Sequence, residues 1–167
     1  MRPFLPLVLL VSVALGLSRV GPPGWAGVRE GVVAYKQGDF ATAVHEFLPL
    51  AEHGDREAQF YLGTMYTRGW GVPPNTVEAA RWYQRAASQG VAEAQYNLGA
   101  LYARGEGVPQ DLVHAYLWLA LAVTRFPGGE SHTKAVQARD HVAAQLTPEQ
   151  LTQAQALVRQ WSPQQAP

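Results

Sequence analysis

Part of the chain repeats itself at a fixed interval, and that interval restricts the fold more than any other feature. Residues 55–90 set above residues 91–126 match without gaps at a constant offset of 36. The identities are Glu57/Glu93, Ala58/Ala94, Gln59/Gln95, Leu62/Leu98, Gly63/Gly99, Tyr66/Tyr102, Arg68/Arg104, Gly69/Gly105, Gly71/Gly107, Val72/Val108, Pro73/Pro109, Val77/Val113, Ala79/Ala115, Trp82/Trp118 and Ala86/Ala122. Matches concentrated at apolar and glycine positions mark a duplicated structural unit, and a period in this range signals a stacked array. Run backwards, the same offset pairs Asp39 with Asn75, Ala43 with Ala79, Ala51 with Ala87 and Gly54 with Gly90. An earlier, more divergent unit therefore precedes the two.

Each unit reads as two helices. Ala58, Leu62, Met65 and Tyr66 fall on one face at spacings of three and four, as do Ala94, Leu98, Leu101 and Tyr102. Gly63 and Gly99 lie mid-helix, where glycine costs about 1 kcal/mol relative to alanine. A repeated cost implies a repeated reason, and close approach of a neighbouring helix supplies one. Gly69–Val72 and Gly105–Val108, each followed by proline, end the first helix. Asn75, with Glu78 three residues on, and Asp111 then cap a second helix. Its apolar positions are Ala79, Trp82, Tyr83 and Ala86, then Ala115, Trp118, Leu119 and Ala122. Such a pair cannot bury its apolar face alone and has to stack on its neighbours, which gives an all-α solenoid. The earlier unit follows the same plan around a tight Gln37–Gly38–Asp39 turn, with a kink or an early end expected at Pro49. Beyond Trp118 the repeat decays. Phe126–Glu130 breaks the chain, Ser131 stands as a cap, and helical patterns over Ser131–Ala144 and Pro148–Trp161 read as a terminal cap of the array. Thr147, Pro148 and Gln150 form the start signal of the last one.

These residues carry a resemblance. Ala58–Gln59–x–x–Leu62–Gly63–x–x–Tyr66–x–x–Gly69–x–Gly71–Val72, its copy from Ala94 to Val108, and Ala79–x–x–Trp82–Tyr83–x–x–Ala86–Ala87–x–x–Gly90 resemble Sel1-like repeats, 36-residue relatives of the tetratricopeptide repeat. The resemblance implies an α/α superhelix acting as an adaptor or scaffold in protein complexes, and an exported one in many bacterial members. It implies no cofactor. The expected organisation is a signal peptide over 1–26, a tetratricopeptide-like pair over 27–54, Sel1-like repeats over 55–90 and 91–126, capping helices over 127–161 and a frayed tail over 162–167.

The amino terminus supports export. Met1–Arg2–Pro3 is a short basic start, and Phe4–Leu17 is an apolar run of signal-peptide length. A membrane span needs roughly 20 apolar residues. Gly21–Pro22–Pro23–Gly24 would end a helix, and Gly24–Trp25–Ala26 offers a cleavage point before Gly27; an uncleaved anchor, with Trp25 at the membrane interface, is the alternative. Cleavage there removes Arg2 and Arg19, leaving 11 basic residues against 13 acidic. A chain so balanced cannot neutralise a row of phosphates, which excludes nucleic acid as the expected partner. With no cysteine, disulfide frameworks, thiolate metal sites and a cysteine nucleophile are excluded too.

Candidates for chemistry are few. Ser131–His132–Thr133–Lys134 matches the Ser-x-x-Lys arrangement of penicillin-recognising enzymes, but Ser-Asp-Asn and Lys-Thr-Gly occur nowhere. Disulfide-rich relatives of the resembled family are linked to β-lactam binding, and this chain lacks their cysteines. A cell-wall or β-lactam hydrolase is thus the secondary reading, and a membrane-tethered assembly factor another. The five histidines show no i, i+4 pairing, so no metal site is expected. What remains is surface. With Ala58, Leu62, Met65 and Tyr66 assigned to the core, the opposite face of that helix presents Phe60 and Thr64, and the next unit presents Tyr96 and Ala100. First helices line the concave surface of tetratricopeptide-like arrays, where aromatic residues serve as anchors for a partner protein. Trp70 joins them, since Glu106 holds the same position in the next unit. Packing between stacked helices is the alternative for Phe60 and Tyr96, and cover for a local apolar patch is the alternative for Trp70. Arg68 and Arg104 recur at the helix end, facing its last carbonyls.

Overall fold

The computed structural model describes residues 25–163; the expected signal peptide, apart from its last two residues, and the last four residues of the expected tail lie outside them. Eight helices follow one another, with no strand among the described residues: α1 Trp25–Gln37, α2 Phe40–Glu52, α3 Arg56–Arg68, α4 Thr76–Ser88, α5 Ala92–Arg104, α6 Leu112–Arg125, α7 Gly129–Ala143 and α8 Pro148–Gln160. Helix starts are fixed by side chains that accept orphan backbone N–H groups, here Asp39, Asp55, Asn75, Asp111 and Thr147. Gly69 and Gly105 close α3 and α5 at φ 69° and 68°, the left-handed geometry that favours glycine.

Consecutive helices pack antiparallel-fashion into pairs α1/α2, α3/α4 and α5/α6, and each pair stacks on the next. The repeated mid-helix glycine is where the two helices of a pair meet. A Cβ on Gly63 would stand 2.6 Å from the Tyr83 ring, and one on Gly99 would stand 2.7 Å from Leu119. The first pair has the same joint, since a Cβ on Gly31 would stand 2.6 Å from the ring of the fully buried Phe47. Phe47, Tyr83 and Leu119 are spaced by 36, whereas Gly31 is displaced from the register by the shorter Gly38 turn. The loop glycines serve the contact between pairs. A side chain on Gly71 would collide with the Phe40 carbonyl at the start of α2, and one on Gly107 with the Thr76 carbonyl at the start of α4.

Buried glutamines tie pair to pair. Gln59 donates through Nε2 to the Ala51 carbonyl at 3.0 Å, and Gln95 to the Ala87 carbonyl at 3.1 Å. Trp82 crosses the first boundary to pack with Ala43, Phe47 and Ala51, and Trp118 crosses the second to pack with Ala79, Tyr83 and Ala86. Among helices of the same rank, α3 meets α5 and α5 meets α7, so the array is tighter on the side of its first helices and curves toward them.

Three local expectations need correction. Helix α2 is not cut at Pro49 but runs on to Glu52. Proline there lies in the last turn, where it removes only its own N–H bond, and its carbonyl still accepts from the His53 N–H at 3.1 Å. Ser131 does not cap α7: the cap position is Gly128, and Ser131 lies inside the first turn. Arg68 and Arg104 do not turn to the last carbonyls. The Arg68 guanidinium lies 5.6 Å from the Trp70 ring centre, and Arg104 pairs with Glu106 at 2.8 Å. Both arginines thus grip whatever side chain stands two residues on, aromatic in one copy and acidic in the other.

The end of the array departs from the stack. Helix α7 takes the seat a further first helix would take, packing on α6. Helix α8 turns back onto α6, laying Leu157, Val158 and Trp161 over Leu117, Trp118 and Leu121. At the positions of Leu117 and Leu121 the preceding unit carries the exposed Arg81 and Arg85, which keep that face of α4 in water.

Candidate functional site

The first turns of α3 and α5 diverge to leave an open groove of about 380 Å³. Its half-buried wall is Phe60, Tyr61 and Val91, and the exposed Arg56, Glu57 and Glu93 stand around it. The repeat builds this charge pattern: Glu57 and Glu93 occupy equivalent first-turn positions, where a carboxylate favours the positive end of the helix dipole. Tyr61 is held from several sides, stacked parallel on Phe47 at 4.8 Å, tilted against Tyr35 at 4.9 Å and beside Phe60 at 5.5 Å. Burial pushes its hydroxyl pKa up first, and the nearby Glu57, Tyr35 and Glu93 push it further. Two carboxylates from successive repeats therefore act on one phenol. Thr64, one turn beyond Phe60, donates to the Phe60 carbonyl at 3.1 Å and accepts from the Tyr83 hydroxyl at 3.2 Å.

The five sequence-named surface residues do not form one patch. Phe60 and Thr64 sit together at the α3–α5 junction, with Phe60 6.2 Å from Tyr83. Tyr96 lies one junction further along, packed with Ala115, Leu119 and Val142, and Ala100 is half-buried on the same helix. Trp70 belongs to the other end: its ring stacks on Phe40 at 4.7 Å and meets Tyr35 edge-on at 5.8 Å. There it covers the apolar cluster between α1, α2 and α3. Tyr61 and Tyr35 were missed in the sequence. Neither recurs at the 36-residue offset, since Asn97 stands where Tyr61 would repeat. An aromatic at the position beside Phe60 was the available signal. A second groove of about 550 Å³ opens on the first helix pair, beside Val33 and Ala34 of α1 and Thr42 of α2.

The residues considered for chemistry are placed apart from the groove. Lys134 is engaged by Glu130 one turn back, and that carboxylate raises its pKa. An ammonium so held keeps its proton and is a poor base for Ser131, which is exposed. His45 pairs with Glu46, His53 with the Pro49 carbonyl and His114 with the capping Asp111. Among the described residues no three His, Asp or Glu side chains gather as metal ligands.

The Sel1 repeat family matches residues 56–91 and 92–125. A protective antigen present in uropathogenic Escherichia coli strains, displaying an SLR fold, superposes with a TM-score of 0.73 at 32% identity, over 81% of this chain and 29% of its own. A Sel1 repeat protein from Oxalobacter formigenes gives a TM-score of 0.61 at 26% identity, over 79% of this chain and 54% of its own. The chain thus spans between about a third and a half of the length of these relatives. No curated protein matches it. Paired helices joined by the glycine contact, loop glycines seated on the preceding pair and two family matches in register make residues 56–125 of this chain two Sel1 repeats.

Proposed function

We propose that the chain is an exported, non-catalytic adaptor that captures a partner protein in the groove between α3 and α5. The observation that carries this reading is the groove itself, half-buried Phe60 and Tyr61 flanked by the charged Arg56, Glu57 and Glu93 on a scaffold whose packing fixes them. Rigid aromatics offer large contact area at small entropic cost, and surrounding charges set orientation. Sel1 repeat proteins are generally scaffolds for protein interaction, which supports the same reading. Export rests on the basic start and the apolar run Phe4–Leu17. The likeness to a protective antigen fits it, because an antigen must be reachable by antibody.

A photo-cross-linking residue placed at position 57 or 93 tests the surface in the native host. One dominant adduct from both positions, absent when the same residue is placed at position 81 on α4, is expected. No adduct, or the same adduct from position 81, overturns the assignment. Amino-terminal sequencing of the native protein tests export: a start at or near Gly27 is expected, and a retained Met1 overturns cleavage in favour of a membrane tether.

A further inference from the structure

One repeat carries a hydrogen-bonded clamp that the next repeat holds open. In the first case Gln89 donates through Nε2 to both the Gly54 carbonyl and the Gln59 Oε1, each at 2.9 Å. That clamp satisfies both ends of the buried Gln59 amide, whose own Nε2 is bound to Ala51. Moving 36 residues along gives Gly90, Gln95 and Arg125 at the corresponding places. Gln95 is fully buried and its Nε2 is bound to Ala87, yet its Oε1 has no protein partner among the described residues. A buried acceptor left unmade costs about 1–3 kcal/mol. The donor that would complete the clamp is close by. Arg125 lies against Gly90, its guanidinium carbon 3.0 Å from where a Cβ on that glycine would stand. The same carbon lies over the ring of Trp161 at the end of α8, 4.9 Å from the ring centre.

We propose that Arg125 has two seats and acts as the latch of α8. With Arg125 on Trp161, α8 is held over Leu117, Trp118 and Leu121 and the Gln95 oxygen stays unsatisfied. When α8 lifts, Arg125 closes on Gln95 Oε1 and the Gly90 carbonyl, as Gln89 closes on Gln59 and Gly54. An arginine has the donors for both acceptors at once. The gain at Gln95 offsets part of what α8 loses, so the strap opens more easily than its apolar contacts alone imply. Two features fit this role. Helix α8 packs on α6 and makes little contact with α7, and it contributes one fully buried residue, Ala154. Opening bares Leu117, Trp118 and Leu121, the stretch of α6 that replaces the charged face of α4.

The test uses the full chain and two substitutions, read by amide hydrogen exchange and by the Gln95 side-chain amide resonances. Arg125→Gln places in this repeat the residue that forms the clamp in the one before, and removes the contact with Trp161. It is expected to speed exchange across α8 by about two- to fivefold, the factor expected for one exposed cation–π contact. In the same variant the Gln95 amide protons should exchange more slowly, as the clamp forms. Trp161→Ala is expected to free α8 and shift the Gln95 resonances in the same direction, and Arg125→Ala added to it should abolish that shift. Unchanged exchange of α8 in Arg125→Gln, or release of α8 in Trp161→Ala with Gln95 unmoved, overturns the proposal.

Discussion

At the scale of single residues, the mid-helix glycines decide how closely two helices can approach. Alanine is the better helix former by about 1 kcal/mol, so propensity alone says Gly63→Ala should stabilise α3. The structure reverses the sign. A new Cβ would lie 2.6 Å from a Tyr83 ring whose hydroxyl donates to Thr64 and which lies within 3.4 Å of the Thr67 hydroxyl. Overpacking of a fixed neighbour costs roughly 1–3 kcal/mol. Set against the propensity gain, Gly63→Ala is therefore expected to lower stability by up to about 2 kcal/mol in urea denaturation, and a stabilised variant would show that the ring yields freely. The same reasoning limits the use of Phe60. It packs on Tyr61 and Tyr83 and against the central cluster, so Phe60→Ala is expected to cost about 1–2 kcal/mol of stability as well as binding. Glu57→Lys touches only an exposed side chain and should weaken partner capture while the melting temperature stays within a few degrees.

At the scale of elements, the repeat made the glycine turns, the caps and the core faces of α3 to α6 readable, because each signal appears twice in register. What it hid follows from where the register fails. Gly31 makes the same joint as Gly63, but the short Gly38 turn shifts it from the 36-residue offset. The seat of α8 was announced only by an exchange, Arg81 and Arg85 in one copy for Leu117 and Leu121 in the next. Such an exchange says that a face becomes covered without saying by what. Tyr61, which anchors the groove, has no copy and so no repeat signal. Helix starts also carry the chain's pH dependence. Asp111 caps α6, accepting from the His114 N–H at 3.0 Å and meeting its ring nitrogen at 2.7 Å. Partial burial raises the Asp111 pKa, but the bonds and charge of His114 outweigh it and leave the carboxyl below its ordinary value. A lowered native pKa adds stability above the ordinary carboxylate pKa of about 4, and that stability is lost as pH falls through the native value. Asp111→Asn is accordingly expected to be less stable than the parent at pH near 7, with the gap closing below about pH 4. A gap that stays constant over that range would mean that the charge contributes nothing to the cap.

At the scale of the whole molecule, a linear array is only as cooperative as the contacts between neighbouring pairs. The boundary between the first two pairs depends on few large side chains. Trp82 spans it from α4, buried among Ala43, Phe47 and Ala51 of α2 and Leu62 and Met65 of α3, with Arg85 lying 4.8 Å over its ring. The Tyr61–Phe47 stack crosses the same boundary. Trp82→Ala removes the larger of these ties and leaves a cavity where the smaller residues on both sides cannot close in, a loss of about 3–5 kcal/mol. The loss is directional, because each pair contacts only its neighbours. The first pair, α1 and α2, has no preceding pair among the described residues to hold it, while α5 to α8 keep the Trp118 cluster intact. Native-state hydrogen exchange on Trp82→Ala should therefore show α1 and α2 opening at a lower free energy than α5 and α6, by a wider margin than in the parent. Trp118→Ala should shift the weak point to the second boundary and loosen α8, whose Trp161 lies edge-on to that ring at 6.4 Å. Uniform loss of protection in both variants would mean that the molecule melts as one block, with no independent pairs.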